Sequence, residues 1–124
     1  MIQWPHERLE VWQLAIKLIK LVYTLTAMFP KDERFGLTDQ TNRAVVSIAN
    51  NTAEGKGMWS TAAFVEFLYR ARGSLYETVN CLSIAKELNY LTEEQMKEAM
   101  ETAFTLQRKL ASLITSLKNP AGKK

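Results

Sequence analysis

Apolar residues recur along this chain at helical spacing, in four separate stretches. In the first, from about Leu9 to Met28, one stripe carries Trp12, Ala15, Ile19, Val22, Thr26 and Phe29, a second Val11, Leu14, Leu18, Leu21 and Leu25, and a third Leu9, Ile16 and Tyr23. Only Glu10, Gln13, Lys17, Lys20 and Thr24 form a polar stripe. A helix packed on one core needs an apolar arc of roughly 100° or a little more, and this one covers well over half its circumference. The excess predicts a second apolar neighbour, so Leu14, Leu18, Leu21 and Leu25 are expected to contribute to subunit contacts. Pro30 ends the helix, because proline disfavours helical geometry at the residue before it.

The second helix is expected from Thr38, read as an N-cap after the Gly36 turn, to Gly55. Its period shows in Gln40, Ala44, Ser47, Asn51 and Glu54, beside Thr41, Val45, Ile48 and Thr52. The third starts after Ser60 or Thr61, both good caps, and runs to about Leu88 through Phe64, Phe67, Leu68, Ala71, Leu75, Leu82 and Ala85. Gly73 in its middle costs up to about 1 kcal/mol relative to alanine, which predicts close approach of another backbone. In the fourth, Thr92 and Gln95 form a capping box. Met96, Ala99, Ala103, Leu106, Leu110, Leu113 and Leu117 then alternate spacings of three and four, a coiled-coil-like seam. Short connections make neighbours antiparallel. The expected fold is all-α, an antiparallel up-down-up-down four-helix bundle over residues 1–118, followed by a flexible polar tail over 119–124.

At 124 residues the chain has room for one domain. Its formal charge of +3 is mildly basic, far from a dedicated nucleic-acid binder. Beyond Glu101 only bases follow, Arg108, Lys109, Lys118, Lys123 and Lys124, so the C-terminal end is locally basic. The single cysteine, Cys81, has no intrachain disulfide partner, and the N-terminal stretch lacks the apolar run of a secretory signal. A soluble protein in a reducing, cytoplasmic setting is expected. No stretch reaches the roughly 18 apolar residues of a membrane span, since Lys17 and Lys20 interrupt the most hydrophobic segment.

Catalytic and metal chemistry find little support. Glu54 and Glu77 invite a dinuclear-metal reading, but such a bundle site needs several carboxylates and Glu-x-x-His pairs, and the one histidine, His6, lies outside the bundle. Cys81, among leucines on a helix, reads as a small buried apolar residue. The Gly-Lys-Gly at residues 55–57 lacks the spacing and upstream strand of a phosphate loop. No catalytic residue, cofactor or metal is therefore expected.

The polar stretch "SIANNTAEGKG" at residues 47–57 remains. The helical reading sets Ser47, Asn51 and Glu54 against Arg70, Arg72, Ser74 and Glu77 on the third helix. Such a cluster could be a ligand site. The favoured reading is structural: Ala44, Ser47, Gly73 and Ser74 let the helices approach, while Asn51, Glu54 and an arginine satisfy one another in a half-buried network. Lys17, Lys20, Arg43, Lys56, Arg108 and Lys109 fall wholly or partly outside the core. They read first as solvated surface and second as nucleic-acid contacts.

The segments "LEVWQLAIKLIKLVYTLTAMFPKDERFGLTDQ", "RAVVSIANNTAEGKG" and "FLYRARGSLYET" occur in that order. Through them, over roughly residues 7 to 118, the chain resembles the small bacterial four-helix-bundle family encoded in 23S rRNA intervening sequences. Thr52 stands where an aliphatic residue is usual in that family. The family in turn resembles the accessory variability determinant of diversity-generating retroelements, a ring-forming bundle that binds nucleic acid and a reverse transcriptase. The resemblance implies a homopentameric ring and contact with RNA or DNA, and no enzymatic activity. In a pentamer a charge of +3 becomes about +15, enough for salt-dependent phosphate binding. A structural or protein-interaction module with no nucleic-acid role is the other class of function that fits.

Overall fold

Three of the four helices begin where a nearby side chain accepts from a free backbone N–H group. The computed structural model describes residues 1–120, and every regular element among them is helical: α1 (Glu10–Thr26), α2 (Leu37–Lys56), α3 (Thr61–Glu87) and α4 (Glu93–Lys118). The Ala63 N–H donates to the Ser60 hydroxyl at 3.1 Å to start α3. The capping box of α4 is present in both directions, from Gln95 N to Thr92 Oγ1 at 3.1 Å and from Thr92 N to Gln95 Oε1 at 2.9 Å. α2 begins differently from expectation. Thr38 lies inside the helix, Gly36 takes the cap position without a side-chain bond, and Glu33 reaches across the turn so that Leu37 N donates to its Oε1 at 3.0 Å. Asn119 closes α4 through bonds to the Thr115 carbonyl. The rest of the expected tail, residues 121–124, lies outside the described residues.

The helices pack as neighbours around a square, α1 on α2 and α4, α3 on α2 and α4. Cross-helix pairs run in opposite senses along the seams: Ser74 meets Ser47 and Gln40 meets Glu77 between α2 and α3, Lys118 meets Tyr69 and Lys86 meets Glu93 between α3 and α4. Glu10 meets Lys109 and Met28 meets Gln95 between α1 and α4. The result is the antiparallel four-helix bundle.

Along the bundle axis α1 contributes Val11, Ala15, Leu18, Val22 and Leu25, a four-three-four-three repeat that faces inward. Leu18 is 0% exposed and Leu25 5%. Both belong to the core of their own chain, and the subunit contacts expected of them are not available in the folded protein. Leu14 and Leu21 sit on the flanks, partly buried among α1's neighbours. Two adjacent helices thus cover much of the wide apolar arc. On α4 the seam holds through Leu110, after which Ile114 enters the core while Leu113 and Leu117 stay half-buried. A strict heptad drifts by roughly 20° per repeat on a straight helix, enough to move the inward position by one residue near the end.

Polar groups inside the bundle are matched locally. The hydroxyls of Thr41, Thr52 and Thr78 donate to the carbonyls of Leu37, Ile48 and Ser74 at 2.7–2.8 Å, and none of the described buried side-chain nitrogens and oxygens lacks a partner. Thr52 therefore occupies an aliphatic position without stranding a polar atom. Gly73 does not do what its sequence position predicts. A Cβ there would meet nothing within 4 Å, so no backbone among the described residues approaches it. The close approach is at Gly55, where a Cβ would lie 2.7 Å from Phe67 Cβ.

At the opposite end, the α3–α4 connection is locked onto the α1–α2 connection. Asn89 adopts φ 65°, and Tyr90 N donates to Ala85 O while Asn89 N donates to Lys86 O, the Schellman arrangement that ends a helix. This turn places Tyr90 against Phe29, with ring centroids 5.7 Å apart, and lets Tyr90 Oη donate to Glu33 Oε2 at 2.7 Å. The Leu37 N–H and the Tyr90 hydroxyl together hold the Glu33 carboxyl below its usual pKa, and the same carboxylate raises that of Tyr90. A depressed folded-state carboxyl pKa supplies stability that is present above the unfolded value, about 4.3, and is lost as pH falls through the folded value. For Tyr90 the sign reverses: stability is present below the unfolded value near ~10 and is lost as pH rises through the raised one. Glu33→Gln should flatten the acid limb of a denaturation-midpoint versus pH curve, and Tyr90→Phe should flatten the alkaline limb. Parallel curves for wild type and both variants would exclude the clasp as a source of pH dependence.

Candidate functional site

The polar cluster at the α2–α3 seam separates into a bonded part and a solvated part. Asn51 Nδ2 donates to both the carbonyl and the hydroxyl of Ser47 at 2.9 Å, and Ser74 Oγ donates to Ser47 Oγ at 2.9 Å. These three half-buried residues tie the helices at one level. Glu54, Arg72 and Glu77 are not part of that network. Glu54 is exposed and its carboxylate makes no hydrogen bond among the described residues, because the turn of α3 facing the end of α2 presents Phe64 and Phe67 against Gly55. Arg70, one of the arginines the sequence sets against Glu54, is folded over the Phe67 ring, with Cζ 4.7 Å from the centroid. Arg72 turns toward Tyr69, and Glu77, also exposed, takes only a long bond of 3.4 Å from Gln40. Glu54→Ala should accordingly change stability by no more than about 0.5 kcal/mol, whereas Asn51→Ala, which removes the tie, should cost about 1 kcal/mol. Urea denaturation of the two variants checks this ranking.

The six basic candidates are dispersed. Lys17 and Lys20 project from the polar stripe of α1, Arg43 and Lys56 from α2, and Arg108 and Lys109 from α4. On α2, Arg43 and Lys56 stand about 20 Å apart at 1.5 Å per residue. Arg43 is paired with Asp39 at 3.0 Å and Lys109 with Glu10 at 3.4 Å, while Lys56 lies over the Phe64 ring at 5.7 Å. Lys17, Lys20 and Arg108 are exposed and have no ion-pair partner among the described residues.

A tighter basic group occurs where no motif marks it. At the end of the α3–α4 seam, Lys118 Nζ donates to Tyr69 Oη at 3.1 Å and sits 5.6 Å from that ring's centroid, and Arg72 Cζ sits 5.5 Å from the same centroid. Thr115 and Asn119 complete the cleft. The only sequence signals were the Tyr-x-x-Arg spacing on one helix and the basic C-terminal end. Their meeting depends on the α3–α4 register.

Cys81 is buried, and burial pushes its thiol pKa up, which suits a packing residue. Among the described residues no three His, Cys, Asp or Glu side chains converge to hold a metal ion. No helix among them is long and apolar enough to cross a membrane.

Residues 7–112 match the family model described as 23S rRNA-intervening sequence protein. No curated protein matches the chain in sequence. A solved structure of a protein of unknown function from the S23 ribosomal protein family of Bacteroides thetaiotaomicron VPI-5482 is similar to it, with a TM-score of 0.77 at 23% identity over 84% of this chain and 97% of that one. That likeness concerns the fold, a four-helix bundle in both cases. With the family match extending from just before α1 into the last turns of α4, the chain belongs to the 23S rRNA-intervening sequence protein family.

Proposed function

We propose that the protein is a non-enzymatic, ring-forming bundle that binds RNA or DNA as an accessory to a nucleic-acid enzyme such as a reverse transcriptase, in the reducing cytoplasmic setting that suits its free Cys81. One observation carries the reading. The chain carries 16 lysines and arginines against 13 acids, a net +3, and among the described lysines and arginines only Arg43, Lys86 and Lys109 are ion-paired, so most of the cations are available to phosphates. On a single chain this excess is small. Repetition in a homopentamer raises it to about +15, a field that concentrates polyanions. The ring itself rests on the resemblance to the accessory variability determinant and on the partly buried Leu14 and Leu21. A protein-interaction module is the second reading, supported by exposed Tyr76, Ile84, Leu88 and Phe104.

Titration of structured RNA and duplex DNA at low and near-physiological salt tests the proposal. Binding should fall steeply with salt, because neutralised phosphates release condensed counterions, and should vary little with sequence. Absence of binding even at low salt would favour the interaction module. Light scattering that returned the mass of a single chain at micromolar concentration would remove the ring.

A further inference from the structure

We propose that the Tyr69, Arg72 and Lys118 cluster is a phosphate site for single-stranded nucleic acid, with exposed aromatic rings along the α3–α4 seam serving as stacking faces for the bases. The inference deepens the nucleic-acid reading above and rests on it. Two cations share one ring here, Arg72 at 5.5 Å and Lys118 at 5.6 Å from the Tyr69 centroid, and among the described residues neither has a carboxylate within ion-pair range. Attraction to the ring holds both side chains in place although like charges repel. A phosphate between them relieves that repulsion and accepts from the arginine fork and the ammonium together. The cleft they line, about 180 Å³, also offers the Thr115 hydroxyl.

Charge and apolar exposure set the direction in which a strand would run. Arg108 shares one stripe of α4 with Ala111, Thr115 and Lys118, at helical spacing. Further along the seam Tyr76 is 57% and Phe104 64% exposed. Beyond them the seam is lined by Glu87, Glu93, Glu94 and Glu101 with Lys86 and Lys97, a net acidic end that repels phosphate. A strand anchored at Tyr69 therefore finds cations at one end and aromatic faces in the middle. Stacking on such faces tolerates any base but requires the bases to be unpaired, which selects single strands over duplex.

The test measures anisotropy of a labelled oligouridylate with the full chain, at several salt concentrations. Arg72→Gln combined with Lys118→Gln should weaken binding about tenfold at low salt and shallow the log K versus log salt slope by about 0.7, the value for one phosphate contact on a single strand. Tyr76→Ala should weaken binding by about fivefold or more with the slope unchanged. Lys118→Gln alone, at an exposed helix end, serves if the double variant loses its circular dichroism. Wild-type binding that is unaffected by the double variant, or reduced more by Lys17→Gln with Lys20→Gln, overturns this site and leaves the nucleic-acid function standing. Failure of wild type to bind any nucleic acid overturns both. Duplex DNA bound more tightly than the oligouridylate rules out stacking, and polyglutamate bound as tightly as the oligouridylate through the same two cations replaces nucleic acid with an acidic protein as the occupant.

Discussion

A chain carrying Leu18→Glu together with Leu25→Glu is expected to lose its cooperative fold. Both leucines are in the core, at 0% and 5% exposure, and truncating even one such leucine to alanine costs about 2–5 kcal/mol. A carboxylate in their place adds the cost of taking a charge out of water with no cation to meet it. Two such changes approach or exceed the total stability of a domain this size, about 5–15 kcal/mol. The far-ultraviolet circular dichroism of the double variant should be that of an unfolded chain, with no unfolding transition on heating. Leu14→Glu with Leu21→Glu is the informative companion. Those side chains lie on the flanks of α1, so the chain should keep its helicity. A drop in particle mass by light scattering would then report assembly separately from folding. A folded Leu18/Leu25 variant of reduced mass would return those residues to the subunit interface.

The distinction between these two leucine pairs shows where sequence patterning stops being informative. All four lie on one apolar stripe at spacings of four, three and four, and periodicity alone treats them alike. What separates them is the angle at which α2 and α4 sit around α1, a property of the assembled bundle. Features decided within a few residues were legible: the Thr92–Gln95 box, the Ser60 cap, the stop before Pro30 and the inward positions of α4 as far as Leu110. Features decided by another element were not. Glu33 caps α2 from across a turn, where the sequence offered Thr38 as a residue of the capping type after the Gly36 turn. Glu54 continues the helical stripe of Ser47 and Asn51, yet the facing turn of α3 carries phenylalanines instead of a cation. Tyr69 and Lys118 are 49 positions apart in the chain, and their contact exists only through the α3–α4 register.

Gly55→Ala should destabilise the bundle by about 2 kcal/mol, while Gly73→Ala should stabilise it by about 0.5–1 kcal/mol. Both sites are helical, so the intrinsic gain from replacing glycine is the same, and the opposite signs come from what the new methyl meets. At Gly55 it would lie 2.7 Å from Phe67 Cβ, 2.9 Å from Phe64 Cδ1 and 3.3 Å from the Phe64 carbonyl oxygen. The Phe64 ring can turn aside, but Phe67 Cβ is fixed to the α3 backbone, so relief requires α2 and α3 to separate. Separation strains the tie among Ser47, Asn51 and Ser74 further along the same seam, where the helices touch through hydroxyls 2.9 Å apart. Overpacking of this kind costs about 1–3 kcal/mol, more than the conformational gain returns. At Gly73 the methyl would meet nothing within 4 Å, and the gain stands alone. Urea midpoints at unchanged m-value give both numbers. A stability gain at Gly55 would mean the two helices part without cost. A loss at Gly73 would place a second chain against α3 between Tyr69 and Tyr76, since none of the described residues occupies that space.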